Sequence, residues 1–480
     1  MRLLPLLTGL FMVLQAYAAP GSDKLTKLSV DTLPQHRFQQ PALVRQFYDL
    51  VKEPYPWVQR KSLQRSLLQL VHSSEHWGLQ EKDYSIGLLD SLYQNSIALQ
   101  SIQDTLHADE TFTNTAIHFF HDIAMGNSSQ PVSYQGWKYI PDCLDIPGLL
   151  ALAIDNDLLE ELPDAVEPQT QDYKAIKNTL AQLLEIRNDT SSHEDKVQAL
   201  IDRLTLLNIL PYALHKNNLA NARQIIPVRI REAGEALNTI RWIRCIQKVQ
   251  CIVVNIPSAT LQYYDDGNLL LQSKVIVGKR STPTSTLSSQ INEIVLYPYW
   301  TVPSKIASRE LLPMIKRNPS FLDENGYQVI SAGKVIDAAM IDWKKYSSTN
   351  FPFTLRQSTG CDNSLGIIKL NFYSPYGIYL HDTPWKSLFN LSKRYMSHGC
   401  VRVEKVAELA HLLLKADSTA LDEVLQKGDS LNTKPTTMPL SQGVPVFIIY
   451  NTAWTDQTGM VRFYDDIYRK SIPLPDLRQK

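Results

Sequence analysis

The chain of 480 residues has no surplus of either charge, with 48 Lys and Arg against 48 Asp and Glu. Binding a polyanion calls for a basic excess, so nucleic acid is not indicated. Beyond the N-terminus no apolar run approaches the ~20 residues that cross a bilayer. Metal-ligand spacing is lacking too. His72 and His76 fall at i,i+4 and His118 and His121 at i,i+3, but no Asp, Glu or Cys completes a ligand set. Both pairs read as structural or solvent-facing, and neither a metal nor an organic cofactor is called for. Cysteine is scarce: Cys143, Cys245, Cys251, Cys361 and Cys400 are all there is. An odd count in an exported protein leaves at least one thiol outside any disulfide, and a nucleophile is one reason to keep one. Cys245 and Cys251 flank the entry to the first strand of the second half and could close a small loop.

What is present begins with a leader. Arg2 precedes the apolar stretch Leu3 to Leu14, and Ala16-Tyr17-Ala18 has the small-residue pattern of a cleavage site, so residues 1–18 are expected to be a signal peptide removed on export. The length implies two or three domains. After a polar linker over 19–40, helical periodicity runs through 41–245, with Leu43, Phe47, Leu50 and Val51 sharing a face, Pro41 suiting a first turn, and Tyr173, Ile176, Leu180, Leu183 and Leu184 forming another stripe. Further helices are expected over 84–99, 113–125, 196–210 and 228–242, with loops around 126–136. At Cys251 the period changes. Strands are expected at 251–257, 260–264, 269–277, 291–297, 366–372, 377–381, 445–450 and 460–464. The fold class is therefore multidomain α+β: an all-helical N-terminal domain, a mostly β domain over 246–470, and a short tail over 471–480.

One constellation carries chemistry. Tyr379-Leu-His381 is followed, after 15 residues, by Ser397-His-Gly-Cys400-Val-Arg402. His381 is a candidate base and Cys400 a candidate nucleophile, the imidazole serving to generate thiolate. Gly399 leaves room for a substrate carbonyl, and the N–H groups of Gly399 and Cys400 are candidate oxyanion donors. A helix expected over 404–415 would add its dipole if Cys400 sat just ahead of it.

This spacing resembles the His-x(14–17)-[Ser/Thr]-His-Gly-Cys-x-Arg signature of the YkuD-type L,D-transpeptidases. Residues 253–279, 296–313, 355–384 and 461–471 are similar to that family's YcbB-like branch, and the helical half resembles its scaffold domain. The small peptidoglycan-binding module usual in that branch has no recognisable core here, so it is absent or degenerate. The resemblance implies ping-pong acyl transfer. Cys400 attacks the bond between a third-position diamino acid and a terminal D-alanine, and a side-chain amine of a second peptidoglycan stem resolves the thioester. Stem peptides are then donor and acceptor, and carbapenem β-lactams covalent inhibitors. The resemblance further gives the Asp382 carbonyl the task of orienting His381, and places Tyr379, Ser397, His398 and Arg402 in the substrate site. Arg402 either meets a substrate carboxylate or holds the loop through carbonyls, the loop role being preferred. The implied location is the periplasm.

Residues 303–353 interrupt the β domain with a Pro-started helix and an irregular stretch. They read as an inserted capping segment, a mobile lid that grips the donor and limits water at the thioester. Tyr327, Trp343 and Tyr346 supply contact area or lid core. Other readings are an L,D-carboxypeptidase or D-amino-acid exchange enzyme, a non-catalytic wall-binding scaffold, and an NlpC/P60-type hydrolase, in which Cys precedes His.

Overall fold

The computed structural model describes residues 41–94, 99–127, 143–188, 202 and 219–470. The expected leader, linker and tail, most of the 126–136 loop and, save residue 202, the helix expected over 196–210 lie outside the described residues.

Helices build the first half. Pro41 opens α1 (Pro41–Leu50), where a missing N–H is harmless. Pro54 and Pro56 prevent continuation, and α2 (Pro56–Gln59) is a single turn. Its Trp57 is fully buried, its backbone N–H donating to Asp109 Oδ1 at 2.8 Å and its indole to Thr113 Oγ1 at 3.0 Å. Next come α3 (Lys61–His72), α4 (Ile86–Tyr93) and α5 (Ile102–Met125). Helix α5 starts at Ile102, well before the expected residue 113, because Ser101 and Asp104 form a reciprocal capping box; two orphan donors are satisfied there. It buries Phe112, Ala116, Phe119, Phe120 and Ile123 in the helical core. Helices α6 (Ile146–Asp155), α7 (Leu162–Val166), α8 (Gln171–Asn188) and α9 (Leu219–Gln247) complete the layer.

The expected Cys245–Cys251 bridge does not form. Cys245 bonds Cys143 across a sequence separation of 102, tying the segment ahead of α6 to the end of α9. Cys251 opens the first strand with its side chain fully buried, facing away from any partner thiol and into a core shared by the two halves. That core joins Tyr173, Ile176 and Leu180 of α8 and Leu237, Trp242 and Ile243 of α9 to sheet residues Val253, Phe447 and Ile449. Trp242 and Phe447 meet edge to face, centroids 5.2 Å apart. Truncating a buried aromatic of this kind costs roughly 3–5 kcal/mol, so the helical layer is a fixed support for the sheet.

The sheet has nine strands: β1 (Cys251–Asn255), β2 (Thr260–Asp265), β3 (Asn268–Gly278), β4 (Leu287–Leu296), β9 (Ile368–Phe372), β10 (Leu380–His381), β11 (Tyr395–Ser397), β12 (Val401–Val403) and β13 (Thr436–Ile449). Their order is β11-β3-β12-β10-β9-β4-β13-β1-β2, and β2 also pairs with β3, so the sheet curls back on itself. Its interior holds Ile252, Val275, Ile291, Leu370, Leu380, Val401 and Val446, closed by Leu409 and Leu413 of helix α12 (Val406–Leu414). A hairpin of β14 (Ala453–Thr455) and β15 (Val461–Phe463) packs on α8 and α9.

The inserted segment is folded, contrary to the irregular reading. β5 (Trp300–Thr301), β6 (Tyr327–Ser331), β7 (Lys334–Ile336) and β8 (Thr354–Gln357) form a sheet in the order β5-β8-β6-β7. A helical run, 304–317 (α10), with a π-turn at Ala307–Leu311, and the short helix α11 (Phe321–Glu324) pack on it. Val302, Leu312, Ile315, Leu322, Val329, Trp343 and Leu355 make a separate core. The cap thus extends past 303–353 on both sides, because its first and last strands along the chain are β5 and β8.

Candidate active site

Cys400, the candidate nucleophile, sits on a turn fastened from three sides. Ser397 is buried, and its hydroxyl donates to the Cys400 carbonyl at 2.6 Å while accepting the Gly399 N–H at 3.1 Å. Thr284 Oγ1 accepts from the Gly278 N–H and donates to the Gly399 carbonyl at 2.8 Å. Tyr468 in turn accepts from Thr284 N–H and donates to the Gly278 carbonyl. Gly399 takes φ +121°, a region that side chains rarely enter. Its N–H is held by Ser397, so of the two expected oxyanion donors the Cys400 N–H is the one not engaged by Ser397. The helix-dipole expectation also fails: β12 follows Cys400 directly, and α12 begins only at Val406.

Strand register brings the chemistry to one face. β10 pairs with β12 in parallel, Leu380 against Val401 and His381 against Arg402, and antiparallel with β9, His381 against Lys369. Leu370, Leu380, Val401 and Val403 point into the core. Because side chains alternate, Lys369, Tyr379, His381, Cys400 and Arg402 share the opposite face. The Val401 N–H bonds the Tyr379 carbonyl, which sets Tyr379 beside Cys400 and His381 diagonally from it. The Tyr379 and His381 rings lie 5.5 Å apart, and Lys369 Nζ sits 4.4 Å over the Tyr379 ring. Arg402 stacks 5.3 Å over Trp385, with Nε buried and unpartnered. Among the described residues no carbonyl of the loop accepts from it, so the preferred loop-bracing role is not what the geometry provides.

Burial governs the charge states. It pushes the Cys400 thiol up, opposed by hydrogen bonds from Tyr379 and by the charges of Lys369 and Arg402. It drives His381 down to about 3, helped by the charge of Arg402 and, further down, of Lys369. The resting pair is therefore neutral thiol and neutral imidazole, not a preformed thiolate beside imidazolium. The His381 ring faces the carbonyls of Asp382 and Leu365, while Nδ1 is buried without a partner. Nδ1, having no hydrogen-bond partner, is the nitrogen free to meet a proton from outside the fold. The Asp382 carboxylate is turned away, bonded to Lys386 and accepting the Ile367 N–H at 3.1 Å. Gly366 at φ +61° lets this happen: a Cβ there would lie 2.4 Å from Asp382 Oδ2.

The cap reaches the site at two points. His398 Nε2 lies 2.9 Å from Glu310 Oε1 in the π-turn, and Trp300 of β5 hydrogen-bonds Tyr379. The cap aromatics are largely core: Trp343 is buried, Tyr346 packs on Phe353 at 4.9 Å, and Tyr327 stacks on Phe321.

Sequence reasoning missed Lys369, Thr284, Tyr468, Leu365 and Trp385. Lys369 had a usable signal, a lone Lys between the apolar Ile368 and Leu370 on the strand before His381. Thr284 and Tyr468 act through long-range bonds that no local pattern reveals.

A fastened thiol, an imidazole and two flanking cations thus share one face of the curled sheet beside the cap. Residues 250–446 match the model of the YkuD L,D-transpeptidase catalytic domain, and residues 42–180 match a scaffold-domain model. By that match, residues 250–446 are similar to the YkuD L,D-transpeptidase catalytic domain. A Haemophilus influenzae protein carrying a provisional L,D-transpeptidase name is 35% identical over 287 residues, 58% of this chain and 58% of that protein. The match thus spans less than two thirds of the relative's length. Among solved structures, an L,D-transpeptidase from Mycobacterium smegmatis is 14% identical at a TM-score of 0.21, covering 42% of this chain and 58% of that one. An L,D-transpeptidase in complex with imipenem gives 14% and 0.21, covering 42% and 59%.

Proposed function

We propose that the chain is a periplasmic L,D-transpeptidase of the YcbB-like branch that cross-links peptidoglycan stems between third-position diamino acids. The observation that carries this is the shared face: Cys400 on its fastened turn, with His381 diagonal to it and Nδ1 unpartnered. As the sulfur attacks the third-residue carbonyl, Nδ1 takes the thiol proton, and the Cys400 N–H faces the developing oxyanion. Because the resting pair is neutral, proton transfer accompanies attack. The imidazolium returns its proton to the departing D-alanine amine, leaving a thioester. An amine of a second stem then attacks, His381 takes its proton, and the thiol is restored. The Asp382 and Leu365 carbonyls hold the ring throughout. The intact cap and the scaffold-model match support the branch, and the Cys143–Cys245 disulfide fits an oxidising compartment. Among the described residues no helix is long and apolar enough to cross a membrane.

The test is mass spectrometry of disaccharide-tetrapeptide incubated with purified protein. Cross-linked dimer with released D-alanine supports the reading. Tripeptide alone makes it an L,D-carboxypeptidase, exchange with added D-amino acid makes it an exchange enzyme, and no change makes it a non-catalytic scaffold.

A further inference from the structure

Across β9, β10 and β12 one row of the site face reads Lys369, His381, Arg402, in hydrogen-bonded register. The imidazole therefore lies between two cations. Among the described residues neither cation makes an ion pair. Arg402 Nε is buried without a hydrogen-bond partner, and the guanidinium rests on Trp385. Lys369 is half-buried over the Tyr379 ring. The carboxylates nearby are already committed. Asp382 is turned onto Lys386, Glu293 on β4 accepts from Asn371 Nδ2 at 2.6 Å, and Glu310 in the cap meets His398. Cys400 and Tyr379, the other groups on the face, are uncharged at rest, as both are pushed up by burial.

Glu293 favours the charged Lys369 from a distance but forms no ion pair with it among the described residues, so both partly desolvated cations lack a contact anion. Burying a charge is costly unless it is paired, and a carboxylate brought between them would form charge-assisted hydrogen bonds with both. It would also lessen the charge repulsion that adds to burial in keeping a proton off His381.

We propose that Lys369, with Arg402, is the specificity-determining carboxylate receptor of this site, holding the terminal D-alanine carboxylate of the donor stem. Binding of that carboxylate between the cations is also what makes His381 a competent base. This rests on the transpeptidase reading for the identity of the ligand, but not for the receptor itself. The arrangement selects donors that end one residue beyond the attacked carbonyl, and it delays activation of the thiol until such an end is in place.

The test compares alkylation of Cys400 by iodoacetate and by iodoacetamide, followed by intact mass on the full chain at one pH. In both, sulfur displaces iodide, a C–S bond forms and the thiol proton leaves; only the first reagent carries a carboxylate. The ratio of the iodoacetate to the iodoacetamide rate, normalised to a small free thiol, should exceed one by about tenfold or more in the wild type. Lys369→Met should cut that ratio about tenfold, and Lys369→Arg should keep it within about twofold. A wild-type ratio equal to that of the small thiol, or no change in Lys369→Met, overturns the receptor. A second arm uses tetrapeptide donor with a free or amidated C-terminus. Lys369→Met should raise KM for the free acid by about tenfold more than for the amide; equal losses on both would mean a merely structural lysine. Alkylation needs no stem peptide, so the receptor can stand or fall separately from the reaction. Absence of both dimer and tripeptide in the wild type is the failure of the reaction alone.

Discussion

His398 of the turn that carries Cys400 and Glu310 of the cap are hydrogen-bonded, Nε2 to Oε1 2.9 Å, a contact that becomes an ion pair when the imidazole is protonated. Both side chains are partly exposed, so the pair is worth at most about 1 kcal/mol, or about fivefold in the closed population of the cap. Glu310→Ala should lower the ratio of dimer to hydrolysed tripeptide by about two- to fivefold, as should high salt in the wild type. An unchanged ratio by quantitative chromatography would mean that the cap is held by its strand roots alone.

The hydroxyl of Ser397 serves two backbone groups at once. Ser397→Ala leaves the buried Gly399 N–H without its acceptor, a loss of about 1–3 kcal/mol. Because the affected turn carries Cys400, turnover should fall by about tenfold or more while circular dichroism stays native. Wild-type kcat in a folded variant would show that the turn is fixed by Thr284 alone.

The constellation was legible because its chemistry is local in sequence: His381, Cys400 and the glycine between Ser397 and the thiol all lie within a single short stretch. The change of period at Cys251 likewise coincides with the first residue of β1. What failed was non-local. Burial inverted the expected thiolate–imidazolium state, which depends on how deeply the sheet and cap enclose residues 381 and 400. Cys245 found Cys143, far away in sequence, because helix packing rather than spacing brings thiols together. The cap looked irregular because its strands are two to five residues long and its apolar residues serve a small core.

The raised Cys400 thiol makes a kinetic prediction. The rate of alkylation by iodoacetamide should keep climbing as pH rises beyond ~8.5, the ordinary thiol value. A plateau from about pH 6 would instead reveal a thiolate paired with protonated histidine.

His381 links stability to pH. Its folded value of about 3 lies below the unfolded ~6.5, so between the two the unfolded chain binds the extra proton. The contribution is complete above about pH 6.5 and is lost as pH falls toward 3. Denaturant titrations at pH 7 and pH 4.5 should differ by on the order of 2–3 kcal/mol more in the wild type than in His381→Gln. Equal differences would mean that the imidazole is hydrated.

Non-reducing peptide mapping should recover Cys143 joined to Cys245. Replacing both by Ala should destabilise the helical domain by about 2–4 kcal/mol and leave the alkylation rate of Cys400 as it was. Recovery of a Cys245–Cys251 link would contradict the packing of Cys251 in the shared core.

The central claim is that Cys400 carries the acyl group. Full-length protein mixed with disaccharide-tetrapeptide and quenched in acid should show one adduct of the mass of the acyl disaccharide-tripeptide, mapping to the peptide that contains Cys400 and absent from Cys400→Ala. Cross-linked product made by Cys400→Ala, or an adduct that maps to another residue, would contradict it.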